Sequence, residues 1–195
     1  MTQPSHPITI TGGCNCLALR YSITLPPTTT LPLSDNGVCL CTLCRKFTGA
    51  VIPRLLSCHI SWSNLPLFHH SAEYKTYTTT VVPGVTGHRG FCSTCGSSLS
   101  FHGKAVGEME WFEIFLGTVD EDVLAGKKVG ETEGRFGKRA VREGGWGDVL
   151  LDTSMSGHIW VENATQGYDL VGPKRWRMEQ GKEYEVGTME EGREE

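Results

Sequence analysis

Cys39-Leu40-Cys41-Thr42-Leu43-Cys44 places three cysteines within six residues, the densest of three cysteine clusters in the chain. The other two clusters are Cys14-Asn15-Cys16 and Cys92-Ser93-Thr94-Cys95. Together the clusters hold seven of the eight cysteines. A structural zinc takes four protein ligands, whereas a catalytic zinc takes three and leaves one position open. Seven ligands therefore divide naturally into one closed site and one open site.

The two cysteine pairs suit the closed site. Alternate residues of a strand point to the same side, so Cys14 and Cys16 are predicted to present two sulfurs from one strand face. Cys92 and Cys95 flank a tight turn, and Gly96 suits the left-handed position that follows. We predict that the two pairs together bind one structural zinc, which contributes to folding.

The three-cysteine cluster suits the open site. Cys39 and Cys41 are predicted to project from one strand face, and Cys44 to return after a turn. Sulfur-rich tetrahedral sites favour Zn²⁺, and the fourth position is left for water or substrate. The alternative is that this site is also closed, with His59, His88 or another residue as the eighth ligand. The eighth cysteine, Cys58, is interpreted as a small buried hydrophobic residue.

Length and composition predict one globular domain. The chain has 195 residues, with 38% hydrophobic and 21% charged residues. It shows no apolar run long enough to span a membrane and no signal peptide, which predicts a cytoplasmic protein with reduced thiols. The formal net charge is −4, and seven thiolates with two zinc ions would add about −3. Such a charge disfavours nucleic acid as a partner.

The pattern of residues predicts a mainly β domain with few short helical turns. Residues 120–125 are the one predicted helical turn. We expect a frayed arm at 1–7, a single domain at 8–175 and an acidic, disordered tail at 176–195. Alternating and β-branched stretches predict strands at 8–11, 17–23, 50–56, 58–62, 74–82, 97–102, 111–118 and 158–162, with Val38 leading into the middle cluster.

An insertion loop is predicted at 126–153. Residues 126–147 contain seven glycines and six Lys or Arg residues, and we interpret them as a solvated loop. The alternative is a basic lid that draws an anionic ligand towards the metal, with Lys138 or Arg139 among its cations.

Five motifs follow one another along the chain: Gly12-Gly13-Cys14-Asn15-Cys16 with Arg20-Tyr21, then residues 39–50, residues 89–96 with Leu99, residues 117–120 and residues 158–161. They resemble the motifs of the family of glutathione-dependent formaldehyde-activating enzymes and centromere protein V. Three departures are Leu17, where the family usually has glycine, Leu40, where it often has histidine, and the insertion at 126–147, which is longer than the family pattern.

The resemblance implies a β-tent fold of small antiparallel sheets held by zinc. It implies a structural zinc on Cys14, Cys16, Cys92 and Cys95. It also implies a catalytic zinc on Cys39, Cys41 and Cys44. The implied activity is condensation of glutathione, as co-substrate, with formaldehyde, which is a carbon–sulfur lyase reaction run in reverse.

These expectations define a mechanism and its competitors. The open zinc holds a thiolate that attacks an aldehyde, Arg45 binds a glutathione carboxylate, and the partners are a small-molecule thiol and an electrophile. One alternative applies the same site to a larger electrophile in a biosynthetic pathway. Another is a non-catalytic, zinc-stabilised interaction protein. His158 is either a general acid or base or a packed strand residue, and the oligomeric state, a homo-oligomer included, stays open.

Overall fold

The computed structural model describes residues 7–30, 36–63, 71–82, 85–103, 110–152, 157–163, 174–179 and 182–186. The predicted arm falls almost wholly outside these ranges. None of the described helices is long and apolar enough to cross a membrane. The strands are β1 (Thr9–Gly13), β2 (Arg20–Thr24), β3 (Asn36–Cys39), β4 (Arg54–His59), β5 (Tyr74–Val82), β6 (Val85–Cys92), β7 (Ser98–His102), β8 (Trp111–Phe115), β9 (Lys127–Gly134), β10 (Gly137–Glu143), β11 (Gly157–Ile159), β12 (Lys174–Glu179) and β13 (Lys182–Val186).

Short helices connect some of these strands. The α-helices are α1 (Thr42–Thr48), α2 (Glu121–Leu124) and α3 (Gly147–Leu150). The 3-10 turns are Ile60–Trp62, Leu116–Thr118 and Val161–Asn163. The predicted mainly β fold is confirmed, as is the helical turn predicted at 120–125.

The described strands form three sheets. β1 pairs with β2, and β9 pairs with β10, each as an antiparallel two-stranded sheet. The remaining strands form a nine-stranded sheet in the order β13-β12-β11-β3-β4-β8-β7-β6-β5. Within it, β11 runs parallel to both β3 and β12, and the other pairs are antiparallel.

The large sheet has an apolar cluster on each face. Leu56 of β4 and Ile114 of β8 pack with Ile10 and Ile23 of the β1–β2 sheet. Burying each of these side chains is worth about 2–3 kcal/mol. The alternate residues on β4 and β8, among them Leu55, belong to a second cluster that contains the three cysteines at 39, 41 and 44. Strand alternation therefore places this cysteine cluster on the face opposite the main core.

Two elements near the cysteines differ from the sequence predictions. Residues 85–92 form strand β6, which is not among the strands predicted from the sequence. Gly90 is glycine for a packing reason, because a Cβ there would lie 2.0 Å from the hydroxyl of Tyr74. Residues 42–48 form helix α1 instead of a turn. Gly49 ends this helix with φ of 71°, a left-handed conformation that suits glycine.

Most of the segment predicted as an insertion loop at 126–153 is a β-hairpin, which spans residues 127–143. β9 and β10 pair along their length, with a register shift between Val141 and Arg142. Three of the hairpin's six cations have ion pairs in the described structure: Lys128 and Lys138 both contact Glu131, and Arg142 contacts Asp122. The cross-strand pairing continues through the glycines, with Gly134 opposite Gly137 and Gly130 opposite Val141. The pairing of these cations weakens the alternative of a basic lid.

The tail predicted at 176–195 is described only at residues 176–179 and 182–186. Part of it lies in β12 and β13, which pair antiparallel from Arg175 with Val186 to Glu179 with Lys182. Both strands alternate apolar with charged residues, a period-two pattern that the glutamate content of the segment obscured.

Candidate metal centres

Four cysteine sulfurs converge between the β1–β2 and β6–β7 connections. The sulfurs of Cys14, Cys16, Cys92 and Cys95 all lie within 4.8 Å of one another. Cys16 Sγ is 3.5 Å from Cys14 Sγ and 3.7 Å from Cys92 Sγ. With Zn–S bonds of about 2.3 Å, a tetrahedron has S···S edges of about 3.8 Å. The spacing therefore fits a tetrahedral metal ion, and none of these cysteines forms a disulfide.

Cys14 and Cys16 differ from the prediction in their local structure. β1 ends at Gly13, so both cysteines lie in the turn before β2 and not on a strand face. The turn is closed by a hydrogen bond from Leu17 N to Cys14 O at 3.0 Å. Leu17 has a φ of 66°, a left-handed conformation that is unfavourable for leucine. The turn therefore requires the backbone conformation that the glycine of the resembling motif would supply.

The second pair lies in a tight turn, as predicted. Gly96 N donates to Cys92 O at 2.8 Å, and Gly96 has a φ of 75°. The side chain of Ser97 contacts Cys95 Sγ at 3.3 Å and also accepts from Asn15 N at 3.0 Å. Hydrogen bonds from the side chain and backbone of Ser97, and then from Cys16 N, lower the pKa of Cys95 to about 5. These hydrogen bonds favour the thiolate form of Cys95, which is the form in which cysteine binds a metal ion.

The three remaining clustered cysteines meet at the start of α1. Cys39 ends β3, Cys41 caps the helix, and Cys44 lies in its first turn. Cys41 Sγ accepts a hydrogen bond from Cys44 N at 3.2 Å. The prediction that Cys39 and Cys41 share a strand face was wrong, because the chain leaves the strand at Cys39 and turns into the helix. The capping bond now orients Cys41 instead.

The three sulfurs are close together and buried. They lie within 4.8 Å of one another, and the residues are 4%, 7% and 3% exposed. Within the described part of the chain, no histidine, carboxylate or further cysteine joins this group. His59 instead contacts Ser61 and the ring of Trp111, and His88 contacts Thr78. The structure thus brings together three of the predicted ligands without either proposed eighth ligand.

The three thiols do not ionise equally. Hydrogen bonds from Cys39 and Cys44 lower the pKa of Cys41, and the backbone N–H of Cys44 and the charge of Arg89 lower it further. The hydrogen bonds with Cys41 and Cys44, followed by burial, raise the pKa of Cys39. Cys41 is therefore the first thiolate of the cluster. A metal ion that binds all three sulfurs must displace protons from the other two, which makes binding pH-dependent.

Two residues beside the cluster were not singled out from the sequence. Arg89 on β6 is 1% exposed and donates from Nη2 to Cys44 Sγ at 3.7 Å. Trp160 packs against the cysteine cluster and has a φ of 63°. A bulky residue in this conformation costs about 1–2 kcal/mol, and such strain is concentrated at functional sites. The signal in the sequence was the position of Arg89 at the start of the matching motif at 89–96, three residues before Cys92, but its burial is shown only by the structure.

A cavity of about 800 Å³ lies next to the cluster. Its wall includes Phe47 and Phe115, which pack against the three cysteines, but not the cysteines themselves. Lys46 and Arg54 are its cations, and Ser97 and Ser98 also line it. Arg45, predicted to bind glutathione, lies on α1 but outside this wall, and its neighbour Lys46 takes that position. No residue of the β9–β10 hairpin is among the described lining residues.

His158 lies apart from the three cysteines. It is fully buried on β11, in register with Val38, while Ile159 is in register with Cys39. Because neighbouring strand residues face opposite sides, the side chain of His158 is directed away from that of Cys39. The packed-residue alternative accounts for this placement. Cys58 is also fully buried in the main core, as interpreted from the sequence.

Fold and geometry define a mainly β protein with two cysteine clusters able to hold metal ions. The family model of the glutathione-dependent formaldehyde-activating enzymes matches residues 9–133, nearly two thirds of the chain. The chain therefore belongs to this family, which confirms the resemblance seen in the sequence. The matched region contains all seven clustered cysteines. No curated protein matches the chain significantly. Membership associates the chain with glutathione-dependent activation of formaldehyde.

Proposed function

We propose that the chain is a zinc-dependent enzyme that joins the thiol of glutathione to an aldehyde, and cleaves the same carbon–sulfur bond in reverse. The observation that supports it best is the set of three converging, buried sulfurs at Cys39, Cys41 and Cys44 without a fourth ligand in the described residues. Soft sulfur donors in a tetrahedral spacing suit zinc. Zinc bound there supplies an open position at which an incoming thiol is favoured as the thiolate.

The proposed step is an addition. The thiol sulfur forms a bond to the carbonyl carbon, the π electrons of the carbonyl move to oxygen, and that oxygen takes the proton that the thiol loses. The lyase direction reverses each change. No redox co-reactant is needed, which agrees with a site made of reduced cysteines. A reducing, cytoplasmic location would preserve these thiols.

The chain's own residues perform three tasks in this proposal. Cys39, Cys41 and Cys44 hold the metal, with Cys41 fixed by its capping bond. Phe115 and Trp160 pack against the sulfurs and limit the access of water. Lys46 and Arg54 give the adjoining cavity a positive character that suits the carboxylates of glutathione.

The four-cysteine centre has a different proposed role. Cys14, Cys16, Cys92 and Cys95 would enclose a second zinc, giving two per chain. Four protein ligands leave no position for a substrate, so this centre contributes to folding and not to chemistry.

The test uses the zinc-loaded full chain. Exchange between formaldehyde hydrate and its glutathione adduct is followed by NMR, because the uncatalysed reaction also proceeds. We expect the wild type to accelerate exchange and Cys44→Ser to return it to the uncatalysed rate, with one zinc per chain instead of two. The matched control is Ser93→Ala, an exposed turn residue next to Cys92 that leaves every sulfur in place. Equal acceleration by Cys44→Ser and the wild type would refute the proposal.

A second candidate keeps the site and changes the electrophile. The cavity of about 800 Å³ is of the size that holds large organic ligands, so it has room for an electrophile bulkier than formaldehyde beside the thiol. Bulkier aldehydes and thioethers tested in the same exchange assay distinguish the two. A higher kcat/KM for a bulky compound favours this candidate. Zinc-loaded protein that accelerates none of these reactions would instead favour the non-catalytic interaction protein.

A further inference from the structure

Within the part of the chain that the structure describes, Arg89 carries a buried charge without an acidic partner. Its guanidinium donates from Nη1 to Thr79 Oγ1 at 2.8 Å and lies over the ring of Phe101, 5.0 Å from the centroid. Among the described residues, no carboxylate lies within ion-pair distance of it, and its Nε has no hydrogen-bond partner. A buried, unpaired charge costs several kcal/mol. A counter-charge must therefore come from another group.

The cysteine cluster supplies that counter-charge. Arg89 Nη2 is 3.7 Å from Cys44 Sγ, and this is its one contact with a group that can be an anion in the described structure. Three thiolates around one divalent cation have a net charge of about −1. Adding the guanidinium brings the buried centre to about zero. The arginine and the metal centre thus compensate each other.

The contact is also asymmetric. Of the three cysteines, Cys44 is the one that Arg89 contacts, whereas Cys41 accepts from a backbone N–H. A charged donor offsets the negative charge of the sulfur it contacts, which lowers the cost of burying the three-sulfur metal centre and strengthens the metal as an acceptor of a further ligand. A centre of zero net charge also binds an anionic fourth ligand more readily than a centre of net charge −1, because there is no net repulsion to overcome.

We propose that Arg89 is a positioning residue that acts through Cys44, neutralising the three-sulfur metal centre so that it accepts a thiolate as its fourth ligand. The inference rests on the proposed function of this centre. It extends that function by assigning the selectivity for an anionic sulfur ligand to a residue that does not touch the substrate.

The experiment uses the Co²⁺-loaded full chain, whose sulfur-to-cobalt absorption reports each centre separately from activity. Arg89→Met, which keeps the length but removes the charge, is compared with Arg89→Lys, which keeps the charge. Arg135→Met, at the exposed tip of the hairpin, is the matched control. The absorption of the three-sulfur centre is obtained by subtraction. For each protein, the spectrum of the same protein with Cys44→Ser added is subtracted from its own spectrum. Glutathione is then titrated into each cobalt protein.

We expect Arg89→Met to weaken cobalt binding at the three-sulfur centre by roughly 10- to 100-fold, the range seen when an outer partner of a ligand is lost. The affinity for glutathione, measured from the spectral change that it induces, should also fall by roughly tenfold or more. The cobalt absorption of the four-cysteine centre should stay unchanged. Arg89→Lys should stay within about threefold of the wild type for both. Unchanged binding in Arg89→Met, or an equal loss in Arg89→Lys, would overturn the role of the charge. Should Arg89→Met fail to fold, Arg89→Lys is the deciding variant. Affinities within about threefold of the wild type then support the role of the charge, and a larger loss overturns it.

The outcomes separate this inference from the proposed function. If glutathione leaves the cobalt spectrum of the wild type unchanged, the thiol-binding role of the centre fails. In that case the thiolate part of the inference is refuted as well. The cobalt affinities of the Arg89 variants still show whether the charge of Arg89 supports the metal centre.

Discussion

Arg20 and Asp120 form a two-pronged ion pair across 100 residues of sequence. Arg20 Nη1 donates to Asp120 Oδ1 at 2.8 Å, and Nη2 contacts Oδ2. Thr11 Oγ1 also donates to Oδ2 at 2.6 Å. One residue from each motif makes a second link, between Tyr21 Oη and Thr118 Oγ1 at 3.0 Å. These contacts therefore connect the motif beside the first cysteine pair to the motif at 117–120.

The ion pair between Arg20 and Asp120 predicts that the stability of the protein depends on pH. The hydrogen bond from Arg20, with a further one from Thr11, lowers the pKa of Asp120 below its ordinary value. A lowered carboxyl pKa contributes stability that is complete above the unfolded-state pKa of about 3.9 and is lost as the pH falls through the lower, folded-state pKa. We expect Asp120→Asn to cost about 1 kcal/mol near pH 7, a modest value because both side chains are partly exposed.

The measurement is the free energy of unfolding of both proteins by urea between pH 3 and pH 7. The difference between wild type and Asp120→Asn should be constant above about pH 5 and shrink below about pH 4. Glu133→Gln, an exposed hairpin residue, serves as the control. A difference that grows on acidification would contradict the assigned pKa direction.

Cysteine spacing was sufficient to group the ligands, but not to give their backbone conformations. The division into four and three follows from coordination numbers, which do not depend on whether a ligand lies in a strand or a turn. The strand assigned to Cys14 and Cys16 was wrong because a two-residue spacing also fits a turn. The spacing does not show that the turn needs a left-handed residue at Leu17.

Long-range contacts account for what the sequence did not reveal. Arg89 lies in a strand that was not predicted from the sequence, and its significance appears only when β6 is placed opposite α1. Likewise the hairpin at 127–143 is held by cross-strand pairing, which a composition rich in glycine and charge does not indicate. Alternation along β4 and β8, by contrast, was readable in the sequence and does separate the two apolar clusters.

Leu17→Gly is expected to stabilise the protein. Leu17 has a φ of 66° and is 67% exposed. Its backbone conformation is therefore strained, and its side chain gains little stability from burial. Glycine removes the strain but adds unfolded-state entropy, and the net gain should be about 0.5–1 kcal/mol. Chemical denaturation of the zinc-loaded protein measures it. Leu17→Ala, which keeps a Cβ, should show no such gain, and a gain of equal size in both would contradict the backbone explanation.

Gly90→Ala is expected to destabilise the protein by about 2–3 kcal/mol. A Cβ at this position would lie 2.0 Å from Tyr74 Oη and 2.5 Å from Ser100 Oγ, in a buried part of the sheet. Gly130→Ala is the matched control, because Gly130 is also in a strand but a Cβ there meets no described atom within 4 Å. Thermal unfolding compares the two. A similar effect of both substitutions would show that the space around Gly90 is not limiting.

Removal of the β9–β10 hairpin should leave the metal centres intact. Gly126 and Gly144 lie close together at its base, and the two strands pair only with each other among the described strands. A chain in which residues 127–143 are replaced by two glycines should keep two zinc ions and the formaldehyde exchange activity. Elemental analysis and the NMR assay test this. Loss of activity at full zinc content would restore the basic-lid alternative.

The two cysteine centres should differ in what they contribute to folding. The contact between Cys16 and Cys92 closes a loop of 76 residues, and cross-linking a loop of this length is worth about 4 kcal/mol by chain entropy. The other three cysteines lie within six residues, so a metal there closes almost no loop. We therefore expect Cys95→Ser to lower the unfolding free energy by several kcal/mol, and Cys44→Ser by much less. Both variants are unfolded in urea with and without a chelator. Chelation should destabilise Cys44→Ser, which keeps the four-sulfur centre, more than Cys95→Ser; the reverse order would exchange the roles of the two centres.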